Sequence, residues 1–259
     1  MCRWLAYMGE EVFLDELLFE TEHSLVEQSL HSTHGHVTTN GDGFGLGWYG
    51  ARDEPGLYRE VLPAWNDSNL RNLARQIQSS FFMAHVRAST GTETSRVNCH
   101  PFRHGRWLFM HNGMIGGYAR VRRRLEALIP DAVYTERRGT TDSELFFYLL
   151  SRHGLDDDPA AALEATVAEV TGVMADAGVA DPFRMTAMLS DGETGYALRY
   201  SNNPEPPSLY WQARKGHLIV VSEPLDDDAI DWETVPPNHL LVTGGGGDTA
   251  LQPFEPRMP

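Results

Sequence analysis

The second residue of the chain, Cys2, is a candidate nucleophile that could use its own α-amine as a base. An initiator Met1 before a residue as small as cysteine is commonly removed, so we expect the mature chain to begin with Cys2. The freed amine would have a pKa of about 7.7–8.0, so much of it would be neutral near physiological pH. A neutral amine can take the thiol proton, directly or through a water molecule. A small, buried cysteine at the start of a strand is the competing interpretation, and the first seven residues leave both open.

Two further groups suited to catalysis or binding follow apolar runs. Arg87 ends the run 81–87 and could hold a ligand carboxylate through two parallel hydrogen bonds, although a structural salt bridge would satisfy it equally well. Asn112 and Gly113 follow the apolar run 107–110, and a side-chain amide with a backbone N–H could converge on one developing oxyanion. A plain turn is the alternative interpretation of that pair.

The segment Thr140–Glu144 predicts the start of a helix that continues through 145–152. Thr141 and Glu144 have the spacing of a capping box, which places Asp142 in the first turn. There the helix dipole favours the ionised carboxylate. Asp142 is therefore either a partner of the dipole or a fixed anion for the ammonium group of a ligand.

Other reactive side chains give weaker signals. His31, His34 and His36 share a polar segment, but no carboxylate or cysteine lies beside them at ligand spacing, so a solvated loop is favoured over a metal site. Cys99 precedes His100, and adjacent residues on a strand point to opposite faces, which is a poor arrangement for a nucleophile and its base. We therefore expect no metal.

A glycine-rich segment at 40–49 indicates backbone that approaches another group closely, at a turn leading into a strand. Its glycines do not match a dinucleotide-binding or P-loop pattern, and no Lys-Ser/Thr pair follows them. An ordinary glycine-rich hairpin explains the segment equally well, and we expect no cofactor.

The elements that must position these residues alternate along the chain. Strands are predicted at 2–8, 57–62, 81–87, 107–110, 183–190, 195–200, 208–213, 217–222 and 239–243. Helical segments are predicted at 15–19, 24–31, 68–77, 117–129 and 145–152, and a further helix carries an apolar stripe at Leu163, Val167, Val170 and Met174. No linker or repeat marks a boundary, so residues 2–259 are expected to form one domain.

Composition excludes several classes of partner. The net charge of −15 opposes binding to nucleic acid and to anionic membranes. Two cysteines form no disulfide framework and suit a reducing cytosol, so we expect a cytoplasmic protein. No stretch resembles a signal peptide or approaches the roughly eighteen apolar residues of a membrane span.

Five segments occur in an order that resembles a known family. These are Cys2 at mature position one, AHVRAST, NCHPF, HNG and TTDSE, within residues 2–144. Together they resemble the glutaminase domain of the class II glutamine amidotransferases, which are N-terminal-nucleophile hydrolases. The segments MCRWLAY and NGDGFGLGWY look most like the stand-alone branch, which includes γ-glutamyl hydrolases of ergothioneine synthesis and glutathione breakdown. The resemblance implies an α/β (α+β) fold, a four-layer α/β/β/α sandwich.

The resemblance also implies catalytic roles. Cys2 would be the nucleophile and its freed α-amine the general base. The side chain of Asn112 and the backbone N–H of Gly113 would form the oxyanion hole. The expected reaction is cleavage of a γ-glutamyl amide through a γ-glutamyl thioester.

The binding roles follow in the same way. Arg87 would hold the α-carboxylate of a γ-glutamyl group and Asp142 its α-ammonium, with Thr90 and His100 lining the pocket. Many family members carry tryptophan after the arginine, whereas this chain has Ala88, so glutamine itself is not assured as the preferred substrate.

Several activities remain open at this point. The chain is expected to hydrolyse a small-molecule γ-glutamyl substrate, or to act as a glutaminase subunit that supplies ammonia to a separate partner enzyme. A non-catalytic binding or regulatory subunit of the same fold is a third hypothesis, and a metal-dependent hydrolase using the histidine segment is the weakest. The sequence predicts neither the leaving amine nor an oligomeric state.

Overall fold

The computed structural model describes residues 2–30, 39–89, 93–214, 216–228, 231–244 and 248–257. The strands are β1 Arg3–Phe13, β2 Phe44–Trp48, β3 Gly56–Glu60, β4 Gln78–Val86, β5 Phe102–His104, β6 Trp107–Met114, β7 Arg184–Ser190, β8 Thr194–Ser201, β9 Tyr210–Arg214, β10 His217–Val221, β11 Glu233–Thr234, β12 His239–Gly244 and β13 Thr249–Pro253. The helices are α1 Leu14–Leu18, α2 Leu25–Leu30, α3 Ser68–Ala74, α4 Tyr118–Glu126, α5 Asp131–Tyr134, α6 Asp142–Leu150 and α7 Pro159–Asp176.

The described strands form two antiparallel sheets. The first has seven strands in the order β11-β9-β10-β1-β4-β2-β3, and the second has six in the order β13-β12-β8-β7-β6-β5. The strand that begins next to Cys2, β1, therefore lies in the middle of the first sheet, with β10 and β4 on its two sides. Its position inside a sheet fixes the backbone beside the candidate nucleophile.

Three apolar clusters account for the layering. One lies between the sheets and includes Trp4, Met83, Met110 and Met188. A second packs α1, α2 and α3 against the outer face of the seven-stranded sheet, and a third packs α4, α6 and α7 against the six-stranded sheet. Because side chains on a strand alternate between faces, each sheet contributes to two clusters. This confirms the predicted four-layer α/β/β/α sandwich.

The apolar patterns predicted most of these elements, and the differences have local reasons. Residues Arg96–Asn98 form a single 3-10 turn, and Cys99 and His100 lie beyond it, outside any strand. The prediction that Cys99 and His100 are neighbours on a strand was therefore wrong. The Asn98 side chain donates to the carbonyl oxygen of Glu93 and accepts the N–H of Thr140, and these bonds replace strand pairing there.

Four elements, β5, β11, β13 and α5, were not predicted, and β5 and β11 are only three and two residues long. All five residues of β13 are exposed, so the strand has no apolar alternation that a sequence pattern could detect. Helix α5 is one turn long, which is below the length at which helical periodicity becomes visible. In the described part of the chain, no helix has both the length and the apolar composition needed to cross a membrane.

Candidate active site

Strand pairing places Cys2 beside the end of β4. Arg3 pairs with Val86 in antiparallel register, so the residue before Arg3 meets the residues after Val86. The N–H of Ala88 donates to Cys2 Sγ at 3.3 Å, and the thiol lies 3.5 Å from the Ala88 carbonyl oxygen. Burial raises the pKa of the Cys2 thiol, against the lowering effects of the Ala88 bond and the nearby charges. A thiol held neutral in this way needs a base to become a nucleophile.

Arg87 is buried at the end of β4 and is held from several sides. Its guanidinium donates to the carbonyl oxygens of Asp42 and Glu93, each at 3.3 Å, and to Ser89 Oγ at 3.2 Å. The carboxylate of Asp42 in turn accepts the backbone N–H of Ser89 at 2.7 Å. These bonds fix the direction of the guanidinium, which lines the cavity next to Cys2.

The glycine-rich segment contributes close packing to this region. A Cβ built on Gly45 would overlap the carbonyl oxygen of His100, and one built on Gly43 would meet Cys99 Sγ at 2.7 Å. The close backbone approach predicted from the glycines is therefore made to other parts of the protein. Sequence reasoning missed Asp42 within this segment, because its contacts with Arg87 and Ser89 are long-range.

Asn112 and Gly113 reach the site from the second sheet, near the end of β6. The Asn112 amide nitrogen donates to the backbone carbonyl oxygen of Cys2 at 2.7 Å. Gly113 has φ of 132°, and a Cβ there would overlap the carbonyl oxygen of Arg184 on β7. Only glycine fits this backbone position. Gly113 lines the cavity, whereas Asn112 is buried behind Cys2.

The start of α6 places Asp142 at the cavity wall. Thr141 is the N-cap, and its hydroxyl accepts the N–H of Glu144 at 3.1 Å, as predicted. The reciprocal half of the capping box is not formed, because the Glu144 carboxylate instead accepts the N–H groups of Arg138 and Gly139. This second set of bonds anchors the loop that leads into the helix.

Asp142 also connects α6 to the end of β6. Its carboxylate accepts the N–H of Ile115 at 2.8 Å and that of Ser143 at 2.9 Å. Two such bonds orient the carboxylate, and the helix N-terminus favours its negative charge. The bond to Ile115 keeps Asp142 close to the Asn112–Gly113 strand end.

One cavity of about 360 Å³ brings most of the predicted residues together. It is lined by Cys2, Arg87, His100, Gly113 and Asp142, and also by Ala88, His111 and Met114. Its size is in the range of small-molecule sites, which begin at about 300 Å³. Thr90, predicted to line the pocket, lies outside the described residues, as do His31, His34 and His36.

Three buried histidines lie at the cavity or next to Asn112, and sequence reasoning identified only His100 among them. The ring of His85 lies 4.3 Å from the ring of His100, centroid to centroid, and its Nε2 is 3.2 Å from Asn112 Oδ1. Nδ1 of His111 is 2.8 Å from Ser143 Oγ. Burial lowers the pKa of all three, that of His85 to about 3, so the cluster is neutral in the physiological range.

The second cysteine has a different environment. Cys99 is fully buried, with its sulfur 3.5 Å from the carbonyl oxygen of Glu60, and burial raises its pKa to about 11. It does not line the cavity. Among the described residues, one group has metal-ligand spacing, Glu22, His23 and Asp227, and it also lies away from the cavity.

The four-layer sandwich, with Cys2 directly before a central strand, has the fold of the N-terminal-nucleophile hydrolases. Residues 16–204 match the model of the family "Glutamine amidotransferases class-II". The chain belongs to this family and is an enzyme of the glutamine amidotransferase class, as the five ordered segments predicted.

Two groups of relatives match most of the chain. It is 31% identical to "Probable glutamine amidotransferase DUG3" of Saccharomyces cerevisiae. That alignment has 290 positions and covers 93% of this chain and 81% of the relative. It is 28% identical over 252 residues to a γ-glutamyl-hercynylcysteine sulfoxide hydrolase of Mycobacterium tuberculosis, covering 96% of this chain and 95% of that one. These matches confirm the predicted membership of the stand-alone branch of the family.

Solved structures give the same assignment. A glutamine aminotransferase class-II domain protein from Silicibacter pomeroyi superposes with a TM-score of 0.79 at 38% identity, over 98% of this chain and 99% of its own. The phosphoribosylpyrophosphate amidotransferase of Bacillus subtilis superposes with a TM-score of 0.69 at 14% identity, over 98% of this chain and 50% of its own. The second likeness supports the fold alone.

Proposed function

We propose that the protein hydrolyses the γ-glutamyl amide bond of a small-molecule conjugate through a thioester on Cys2. The observation that carries the proposal is one cavity that a thiol, a buried cation and an oriented carboxylate line together, namely Cys2, Arg87 and Asp142. A glutamyl head group carries one α-carboxylate and one α-ammonium. Arg87 can bind the carboxylate and Asp142 the ammonium. Fixing the head in this way would hold the γ-carbonyl near the thiol.

In the proposed first step, the Cys2 thiol gives its proton to the α-amine freed by removal of Met1. Its sulfur attacks the γ-carbonyl carbon, and the carbonyl oxygen becomes an oxyanion. The N–H of Gly113 and the second amide hydrogen of Asn112 would stabilise that oxyanion, because the Asn112 amide has two hydrogens and one already binds the Cys2 carbonyl. The leaving amine takes the proton from the α-ammonium of Cys2 as the C–N bond of the substrate breaks. Water then attacks the thioester, with the α-amine again as base, and releases glutamate and the thiol.

The name of one group of relatives favours hydrolysis of a conjugate as the specific activity. The mycobacterial relative that matches nearly end to end is named a γ-glutamyl-hercynylcysteine sulfoxide hydrolase. The small side chain of Ala88 at the cavity wall is compatible with a leaving group larger than ammonia.

Covalent trapping tests the proposal. Protein lacking Met1 is incubated with 6-diazo-5-oxo-norleucine, a glutamine analogue that alkylates nucleophilic thiols, and is then analysed by intact mass and peptide mapping. We expect one adduct per chain, on Cys2, and protection by excess glutamate. The Cys99→Ala variant should label like the parent and Cys2→Ala should not. An adduct on Cys99, or labelling that glutamate does not slow, would contradict the proposal.

The Asn112→Ala variant should lower kcat by on the order of 10²–10³ with a smaller change in KM. The reason is that the amide donor is needed most when negative charge develops on the carbonyl oxygen. Steady-state kinetics with a γ-glutamyl anilide measures both constants. Asn112→Asp is the matched control, since it keeps the shape but replaces the donor by an anion, and it should be no more active than Asn112→Ala. A change confined to KM would place Asn112 in ground-state binding instead.

A further inference from the structure

The orientation of the Asn112 amide follows from its two neighbours. The backbone carbonyl of Cys2 can only accept a hydrogen bond, so the Asn112 atom at 2.7 Å from it must be the amide nitrogen. The amide oxygen therefore points the other way, toward His85, whose Nε2 lies 3.2 Å from it. An amide oxygen only accepts, so the hydrogen between the two residues must be on His85 Nε2.

We infer that His85, as the Nε2–H tautomer, is a positioning residue that fixes which end of the Asn112 amide faces the reacting centre. The inference rests on the proposed function, in which Asn112 donates to the oxyanion. With the hydrogen on Nδ1 instead, the Nε2 lone pair would oppose the Asn112 oxygen. The Asn112 amide would then be favoured in the reversed orientation. Its oxygen would face the Cys2 carbonyl oxygen and the oxyanion, and neither could receive a hydrogen bond from it.

The surroundings hold His85 in place for this role. It is fully buried on β4, where it pairs with Trp4 on β1 and with Gly45 on β2. By strand alternation it shares the face of Phe81 and Met83, which lies between the two sheets. On β6, Asn112 shares the corresponding face with Leu108 and Met110. The two side chains therefore meet across the interface between the sheets.

Protonation does not disturb the arrangement in the working range. Burial, together with the charge of Arg87 and the neighbouring His111, lowers the pKa of His85 to about 3, against the raising effect of the Asn112 bond. His85 is thus a neutral donor at every pH where the enzyme is expected to act, and a ring with so low a pKa is a poor general base.

Variants separate positioning from packing. His85→Leu fills a similar volume without a donor, whereas His85→Gln retains an N–H donor at a similar reach. We expect His85→Leu to lower kcat about tenfold to a hundredfold, with KM within about threefold, because a buried acceptor loses its donor. His85→Gln should recover most of kcat. When Asn112→Ala is already present, adding His85→Leu should lower kcat by less than about a further threefold. The reason is that the residue through which His85 acts is no longer there.

Equal losses in His85→Leu and His85→Gln, or losses that multiply with Asn112→Ala, would overturn the inference. Thermal unfolding of each variant identifies one that fails to fold. The nitrogen-15 spectrum of histidine-labelled parent protein gives a test without variants of Asn112, with His85 assigned by its absence in His85→Gln. We expect a neutral ring protonated at Nε2 from pH 5 to 9, and an Nδ1–H signal would refute the inference. An inactive parent protein would contradict the proposed function. The nitrogen-15 spectrum needs no activity, so it would still show which nitrogen of His85 carries the hydrogen.

Discussion

A Cys2→Ser enzyme with a free N-terminus should lose at least about a thousandfold in kcat/KM toward γ-glutamyl amides, a loss typical of a removed nucleophile. A serine hydroxyl is far harder to deprotonate than a thiol, and the available base is only an amine with a pKa of about 7.7–8.0. Burial already raises the pKa of the native thiol, so the site offers little help to a weaker acid. The measurement is kcat/KM with a chromogenic γ-glutamyl anilide, after mass spectrometry has shown that Met1 is absent.

Cys99→Ser is the matched control for this experiment. Its sulfur is buried away from the cavity, so we expect kcat/KM within about twofold of the parent once the folded fraction is measured. Retention of Met1 on the parent enzyme should lower kcat/KM about as strongly as Cys2→Ser does, since the α-amine of Cys2 would then be part of an amide bond. Full activity in Cys2→Ser would show that another group forms the covalent bond.

The second large effect concerns the glutamyl head group. Substrate analogues that lack the α-amine or the α-carboxylate should lose at least about a hundredfold in kcat/KM, equivalent to roughly 2.7 kcal/mol. Each analogue removes the ligand charge that would pair with Asp142 or with Arg87, and breaking a buried pair costs roughly 3–5 kcal/mol. Arg87→Lys should not restore binding, because a point charge cannot reproduce the planar fork that holds a carboxylate. Changes in the leaving amine should be tolerated much better.

Pairing variants with analogues makes this prediction specific. Asp142→Asn should be strongly impaired with the complete substrate but should lose little more with the analogue that lacks the α-amine. Arg87→Lys should show the same relation with the analogue that lacks the α-carboxylate. The readout is kcat/KM for each enzyme with each substrate, using protein lacking Met1. Equal cleavage of simple N-acyl amides would replace the γ-glutamyl assignment with a broader cysteine amidase.

Sequence patterns predicted the parts of the site that are set by local structure. Arg87 could be placed at a strand end because the apolar run before it is continuous, and Asp142 in a first helical turn because Thr141 has the spacing of an N-cap. The layering followed from the resemblance to a family, since periodicity gives the elements but not how two sheets pack.

The contacts that no pattern predicted join distant segments. His85 and Asn112 belong to different sheets, and only the packing of those sheets brings their side chains together. The strand prediction at Cys99 was wrong for a related reason. The hydrogen bonds of Asn98 with Glu93 and Thr140 determine the backbone conformation there. Alternation along β4 and β6 was a usable signal for the first case, as it assigns both residues to inner faces.

The central place of β1 has a consequence for how the protein is made. This strand is synthesised before the other described strands, yet one of its two neighbours, β10, consists of residues 217–221, and Arg3 forms a buried ion pair with Glu223. Until those residues have been synthesised, β1 lacks its second partner and exposes an unpaired edge with apolar side chains on both faces. Such non-local pairing slows folding and lengthens exposure to aggregation. The candidate nucleophile, Cys2, precedes β1, but the sheet around it is completed only after β10 has been synthesised more than two hundred residues later.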